Sequence, residues 1–107
     1  MQLIIFDLEW NMGYKPYLFD YHGAEQTLRG ELIQIGAVKV DEAGRMLDSL
    51  QLNLRPRLFR KLHHHIAKVT GMTQSQLDAG VPIKEGLRRF MDWCGPDAAF
   101  GEWGMDD

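Results

Sequence analysis

Apolar side chains fall in short blocks along this chain, and their spacing changes from block to block. Leu3-Ile4-Ile5-Phe6 runs into Asp7-Leu8-Glu9, and Gln2 to Glu9 reads as a first strand. Alternation puts Ile4, Phe6 and Leu8 on one face and Leu3, Ile5, Asp7 and Glu9 on the other. A strand apolar on both faces is expected at the centre of a sheet covered by helices. Residues 11–30 carry no helical or strand period. They hold Gly13, Pro16, Gly23, Gly30 and three tyrosines, which predicts a long, partly ordered loop after the acids. Period two returns over Glu31 to Val40, with Ile33, Ile35 and Ala37 on one face and Leu32, Val38 and Val40 on the other. Asp41-Glu42-Ala43-Gly44 predicts a turn. From Arg45 to Leu54, Leu50, Leu52 and Leu54 alternate with Ser49, Gln51 and Asn53, as in an antiparallel strand with one face on a core. The second and third strands thus form a hairpin, which Pro56 ends.

Helical spacing follows. A short helix is expected around His65 to Val69, ended by Thr70-Gly71. Thr73 and Gln76 form a capping box, with Met72 and Leu77 at the positions of a hydrophobic staple; that helix closes at Gly80. Pro82 opens a longer helix in which Ile83, Leu87, Phe90, Met91 and Cys94 form one buried stripe. Gly95-Pro96 stops it. Ala98 to Trp103 is a fourth strand, and a strand–helix–strand order predicts a parallel partner, the first strand. One substantial helix and one short one cannot cover both faces of this sheet, and the final strand is left as an exposed edge. Residues 1–107 therefore read as the N-terminal portion of a single longer domain, or as one half of a homodimer joined through the final strand.

Composition narrows the class. The 107 residues suit one small domain, 45% hydrophobic and 25% charged. A net charge of −3 argues against a broad basic surface for nucleic acid. It is compatible with a site where metal ions supply the positive charge. The single cysteine, Cys94, is expected to be a core residue, and with no internal disulfide the compartment is read as reducing and cytoplasmic. The run Leu3–Phe6 is far too short to span a membrane, so no membrane partner is expected.

The candidate chemistry begins at Asp7 and Glu9. They share a face, ~6–7 Å apart along the strand, at its C-terminal end, where open α/β sheets bind ligands. Crowded carboxylates repel unless a cation neutralises them, which points to Mg²⁺ or Mn²⁺. The plainer alternative is two solvated acids hydrogen-bonded to nearby backbone. His63, His64 and His65 are adjacent, so their side chains diverge and cannot all reach one ion. The basic segment around them reads as solvated and suited to touching a phosphate.

These residues carry a resemblance. Phe6-Asp7-Leu8-Glu9, Glu31-Leu32-Ile33-Gln34-Ile35-Gly36-Ala37, Leu54-Arg55-Pro56, Thr70-Gly71-Met72-Thr73 and Trp103-Gly104-Met105-Asp106-Asp107 stand in the order of motifs of one family. The chain resembles the DEDD (DnaQ-like) 3′–5′ exonuclease superfamily, in its Eri1-type and KapD-like branch. The resemblance implies an α/β, ribonuclease H-like mixed sheet with strand order 3-2-1-4 and flanking helices, lacking the C-terminal strand and helices. It implies hydrolysis of phosphodiester bonds at the 3′ end of single-stranded RNA or DNA with two ions, Mg²⁺ or Mn²⁺. Asp7 would bridge the ions, and Glu9 and Asp107 would each complete one shell, with Asp106 as the alternate acid. Trp10 and Asn11 would meet the terminal nucleotide, core packing being the alternative for Trp10, and Trp103 would pack beside the site. The family's third motif, a general-base His and a fourth Asp, would lie beyond residue 107. The chain alone is thus expected to be inactive or nearly so, and the full-length protein to be the enzyme.

Two other readings compete. A haloacid dehalogenase-like phosphatase also begins with a strand ending in two acids, but has Asp where Glu9 stands. A nucleic-acid-binding or interaction module on a degraded nuclease fold would need no catalysis.

Overall fold

In the computed structural model, which describes residues 2–103, the chain forms β1 (Gln2–Tyr21), β2 (Ala24–Val40), β3 (Met46–Arg55), α1 (His64–Thr70), α2 (Gln74–Asp78), β4 (Val81–Pro82), α3 (Ile83–Cys94) and β5 (Ala98–Glu102). The sheet has the order β4-β3-β2-β1-β5. β1–β2 and β2–β3 are antiparallel, and β1–β5 and β3–β4 are parallel. The expected four-strand order survives, with β4 added outside β3 through Leu54↔Val81 and Arg55↔Pro82. Pro82 thus ends a strand as well as standing at the N-cap of α3. A residue without an N–H suits an edge position.

The segment expected to be a loop is instead strand. β1 and β2 run on as a two-stranded ribbon from Tyr17↔Leu28 to Tyr21↔Ala24. His22 and Gly23 close it, with φ of 54° and 82°. A two-residue hairpin turn of this hand requires positive φ at both positions. Residues 13–16 bulge out between Met12↔Gly30 and Tyr17↔Leu28, so Gly13 and Pro16 mark an irregularity inside a strand. A side chain at Gly13 would collide with the Phe59 ring. The ribbon is exposed almost throughout, so burial imposes no alternation on its sequence.

Alternation elsewhere has the expected result. Ile4, Ala37 and Cys94 pack with Phe6, Phe90 and Trp93; Ile35, Leu52 and Leu54 pack with Leu8 and Ile83. These contacts seat α3 on one face of the sheet. A register shift separates Glu9↔Gln34 from Trp10↔Leu32 and leaves Ile33 as a bulged residue. Leu32 therefore joins the α3-side cluster, while Ile33 packs with Leu62, Met72 and Leu77. The expected pairing of Ile33 with Ile35 on one face fails for this reason.

The Thr73–Gln76 capping box forms in both directions, at 3.2 Å and 2.9 Å. The stripe on α3 is turned from the one expected. Gly86, Phe90, Trp93 and Cys94 face the sheet, whereas Leu87 and Met91 are exposed. At Gly86 a Cβ would run into Leu54 Cδ2, so the helix sits on β3 there in a way that only a glycine allows.

Candidate functional site

Asp7 and Glu9 stand on the face of β1 opposite α3. Across the ladder Asp7 pairs with Gly36 and Glu9 with Gln34, and these pair in turn with Gln51 and Asn53 of β3. Open space lies where a Gly36 side chain would be, so the face beside Asp7 is unobstructed. Gln34 Nε2 donates to Asn53 Oδ1 at 2.9 Å. With Gln51, Thr70, Gly71, Met72 and Gln76, these two residues line a polar hollow of about 320 Å³ between the sheet and the α1–α2 connection.

β5 runs parallel to β1 from Gln2↔Ala98 to Phe6↔Glu102, and Trp103 N donates to Phe6 O at 2.8 Å. The last described residue of this strand region therefore lies alongside the start of the Asp7–Glu9 pair. Trp103 is exposed, not packed. Asp106 and Asp107, the expected third acid and its alternate, lie outside the described residues.

Burial pushes the Glu9 carboxyl above the usual carboxylate range, and the charge of Asp7 pushes it further. Removing a carboxylate from water and setting a like charge near it both disfavour ionisation, and a cation reverses both effects. Two hard oxygen donors on one face suit Mg²⁺ or Mn²⁺. Among the described residues, no group of three or more His, Cys, Asp or Glu could hold a metal ion.

Trp10 and Asn11 do not join the acids as expected. Alternation turns Trp10 to the opposite face, beside Leu32, where it is 51% exposed; it is neither core nor on the acid face. Asn11 is on the acid face but wholly buried. Its Nδ2 donates to Phe59 O (2.8 Å) and Lys61 O (2.9 Å), and its Oδ1 accepts from His63 N (2.9 Å). That amide is consumed by the protein, so Asn11 positions the 59–63 loop and offers nothing to a nucleotide.

Glu31, which sequence reasoning passed over, is the cross-strand neighbour of Asn11. Its carboxylate accepts from Arg57 N (2.7 Å), Leu58 N (3.0 Å) and Phe59 N (3.0 Å). A charged residue just before an apolar strand was the available signal.

The histidines are used locally. His63 caps α1, its Nδ1 accepting from His65 N at 3.1 Å. Burial, then the neighbouring His64 and His65, holds its pKa below the usual imidazole value, which keeps that lone pair available. The Tyr14 ring stacks on His63 with centroids 4.4 Å apart, and the Tyr14 hydroxyl accepts from His64 N at 3.0 Å. Together they tie the β1 bulge to the start of α1.

A family model described as exonuclease (RNase_T) matches residues 4–101. No curated protein matches the sequence. Among solved structures, a full-length 3′-exonuclease superposes with a TM-score of 0.76 at 19% identity, over 97% of this chain and 46% of that one. The nuclease domain of 3′hExo, a DEDDh family member bound to rAMP, gives 0.76 at 21% identity, over 96% and 52%. Cell-death related nuclease 4 (CRN-4) gives 0.65 at 20% identity, over 92% and 34%. The chain spans about half the length of the first two structures and a third of the last. At these identities the likeness shows a shared fold.

Proposed function

The chain belongs to the RNase_T exonuclease family, and from that premise we propose that it forms the acid-bearing part of a metal-dependent 3′–5′ exonuclease acting on RNA or DNA. The observation that carries this reading is the shared face of Asp7 and Glu9 at the end of a central strand, open beside Gly36 and flanked by the end of β5. Asp7 and Glu9, with Asp107 or its alternate Asp106, would hold Mg²⁺ or Mn²⁺. Such ions, when bound, generate a hydroxide-like nucleophile and stabilise charge on the leaving oxygen. Around them Gln34, Gln51 and Asn53 keep the neighbouring sheet face polar, suited to a sugar–phosphate group.

None of His63, His64 and His65 is assigned as a general base. His63 Nδ1 is held by His65 N, and His64 Nδ1 lies 3.1 Å from the Tyr14 hydroxyl. With the family established, the phosphatase reading of Asp7 as a nucleophile falls away.

The test is Mn²⁺-dependent shortening of labelled single-stranded RNA and DNA by the full-length protein, with Asp7→Ala beside it. Loss of nucleotides from the 3′ end that vanishes in Asp7→Ala supports the reading. Equal cleavage by both proteins would overturn it. A second copy pairing along the edge of β5 is the matching proposal for assembly, and sedimentation showing only monomer at high concentration would remove it.

A further inference from the structure

Five of the twelve Lys and Arg residues fall within residues 55–68, and that stretch contains no Asp or Glu. Arg55, Arg57, Arg60 and Lys61 are all exposed, and among the described residues none of them is in an ion pair. Arg55, Arg57 and Arg60 line a hollow of about 500 Å³ together with Pro56, Leu58 and Asp78. The one carboxylate there, Asp78, accepts from Gln74 Nε2 at 2.9 Å.

This segment has no regular structure between Pro56 and His63, yet its backbone is tied down. Glu31 holds the N–H groups of residues 57–59, and Asn11 holds Phe59 O, Lys61 O and His63 N. Gln74 accepts from Leu62 N (2.7 Å) and donates to Arg60 O (2.8 Å). With the backbone so tied the four basic residues stay exposed, although Arg60 Nε donates to Arg57 O at 3.2 Å and Lys61 Nζ lies 5.3 Å from the centroid of the Tyr14 ring. A loop ordered in advance loses less entropy when a ligand binds.

Its placement says what the ligand is. Asn11 follows Glu9 by one strand period on the same face and holds residues 59–63, and Arg55 follows Asn53, in line with Gln34 and Glu9 across the sheet, by the same step, so the segment lies next beyond the acids in the direction of β1. A phosphodiester approaching Asp7 and Glu9 meets two negative charges on a chain of net charge −3. A polyanion needs a local run of cations to stay there, and guanidinium groups match phosphate oxygens. We propose that Arg55, Arg57, Arg60 and Lys61 form a track for the backbone phosphates of a single-stranded nucleic acid whose terminal nucleotide lies at the Asp7–Glu9 pair. The direction of the strand rests on the exonuclease reading; the existence of the track does not.

The experiment is binding of fluorescein-labelled oligothymidylate and oligouridylate to the full-length protein, read by anisotropy in EDTA, where no hydrolysis intervenes. Salt is varied from about 50 to about 200 mM. Arg57→Ala/Arg60→Ala is expected to weaken binding roughly tenfold and to reduce the slope of log K against log salt by about 0.7 for each phosphate no longer neutralised. Lys84→Ala/Arg88→Ala, the same charge change on α3 across the sheet, is expected to bind as wild type. Arg57→Gln/Arg60→Gln, which keeps the aliphatic stems, guards against misfolding. Equal losses in the loop and α3 variants, or none in either, would overturn the track. Loss of binding only in the loop variants upholds it even if the wild type cleaves nothing with Mn²⁺, a result that would fall on the exonuclease reading alone. Equal affinity for the two oligomers would assign the contacts to phosphate, and a preference for oligouridylate would assign RNA as the strand bound.

Discussion

Asn11 and Glu31 face each other across the β1–β2 ladder and close on one loop, Asn11 at Phe59, Lys61 and His63, Glu31 at Arg57, Leu58 and Phe59. Neither residue reaches for a ligand. They convert a stretch with no regular structure into a fixed wall beside the acids.

Replacing Asn11 by Ala leaves Phe59 O, at a buried position, and Lys61 O and His63 N, at partly buried ones, without this partner. Each such group costs ~1–3 kcal/mol. Asn11→Ala should therefore lower stability by about 3 kcal/mol in urea unfolding, a large loss for one surface-loop anchor. Wild-type stability would show that the loop is held by Glu31 and Gln74 alone.

Glu9 gives a pH dependence of defined sign. Its carboxyl has a raised pKa in the folded protein, so between the ordinary value of 4.5 and the raised value the folded state binds more protons than the unfolded. Stability contributed by this group is fully present below 4.5 and is lost as pH rises through the folded value. Without divalent metal, Glu9→Gln should be more stable than wild type at neutral pH, with the gap closing in acid. Added Mn²⁺ should raise the melting temperature of wild type and leave Glu9→Gln nearly unchanged. A gap that widens in acid would contradict the burial and Asp7 repulsion described for Glu9.

Cys94 is 2% exposed against Ile4 and Ala37, and burial pushes its thiol pKa up. Only the thiolate attacks a disulfide reagent. Reaction with a chromogenic disulfide should be slow in the native protein and become fast on unfolding in urea. Rapid reaction under native conditions would mean that α3 detaches from the sheet.

What could be read along the chain depended on burial. Leu50, Leu52 and Leu54 alternate because one face of β3 is covered, and Thr73-Gln76 is a local capping device whose partners are three residues apart. The Tyr17–Leu28 ribbon left no such imprint, since almost every residue in it is exposed. The acid pair was legible because both carboxylates sit within one strand period. The roles of Asn11 and Glu31 were not, since their partners lie 26 to 52 residues away. Trp10 stands on the face opposite the acids by simple alternation along β1, whereas its expected contact with a nucleotide came from the family resemblance and not from that period.

α3 sits on β3 at Gly86 in a way that only a glycine allows. In a helix, Ala is favoured over Gly by ~1 kcal/mol. At position 86 the added methyl would meet Leu54 Cδ2 at once and Val81 Cγ2 at 3.4 Å, and Leu54 is wholly buried. Overpacking of a filled core costs ~1–3 kcal/mol, so the clash outweighs the gain in propensity. Gly86→Ala should be destabilising by about 1 kcal/mol in urea unfolding, although it replaces a poor helix former by the best one. Leu54→Ala should cost ~2–5 kcal/mol by itself. In the double variant the new methyl occupies space that Leu54 vacated, so the loss should be smaller than the two single losses combined. Strict additivity would show that α3 finds its place on the sheet by contacts other than Gly86 on Leu54.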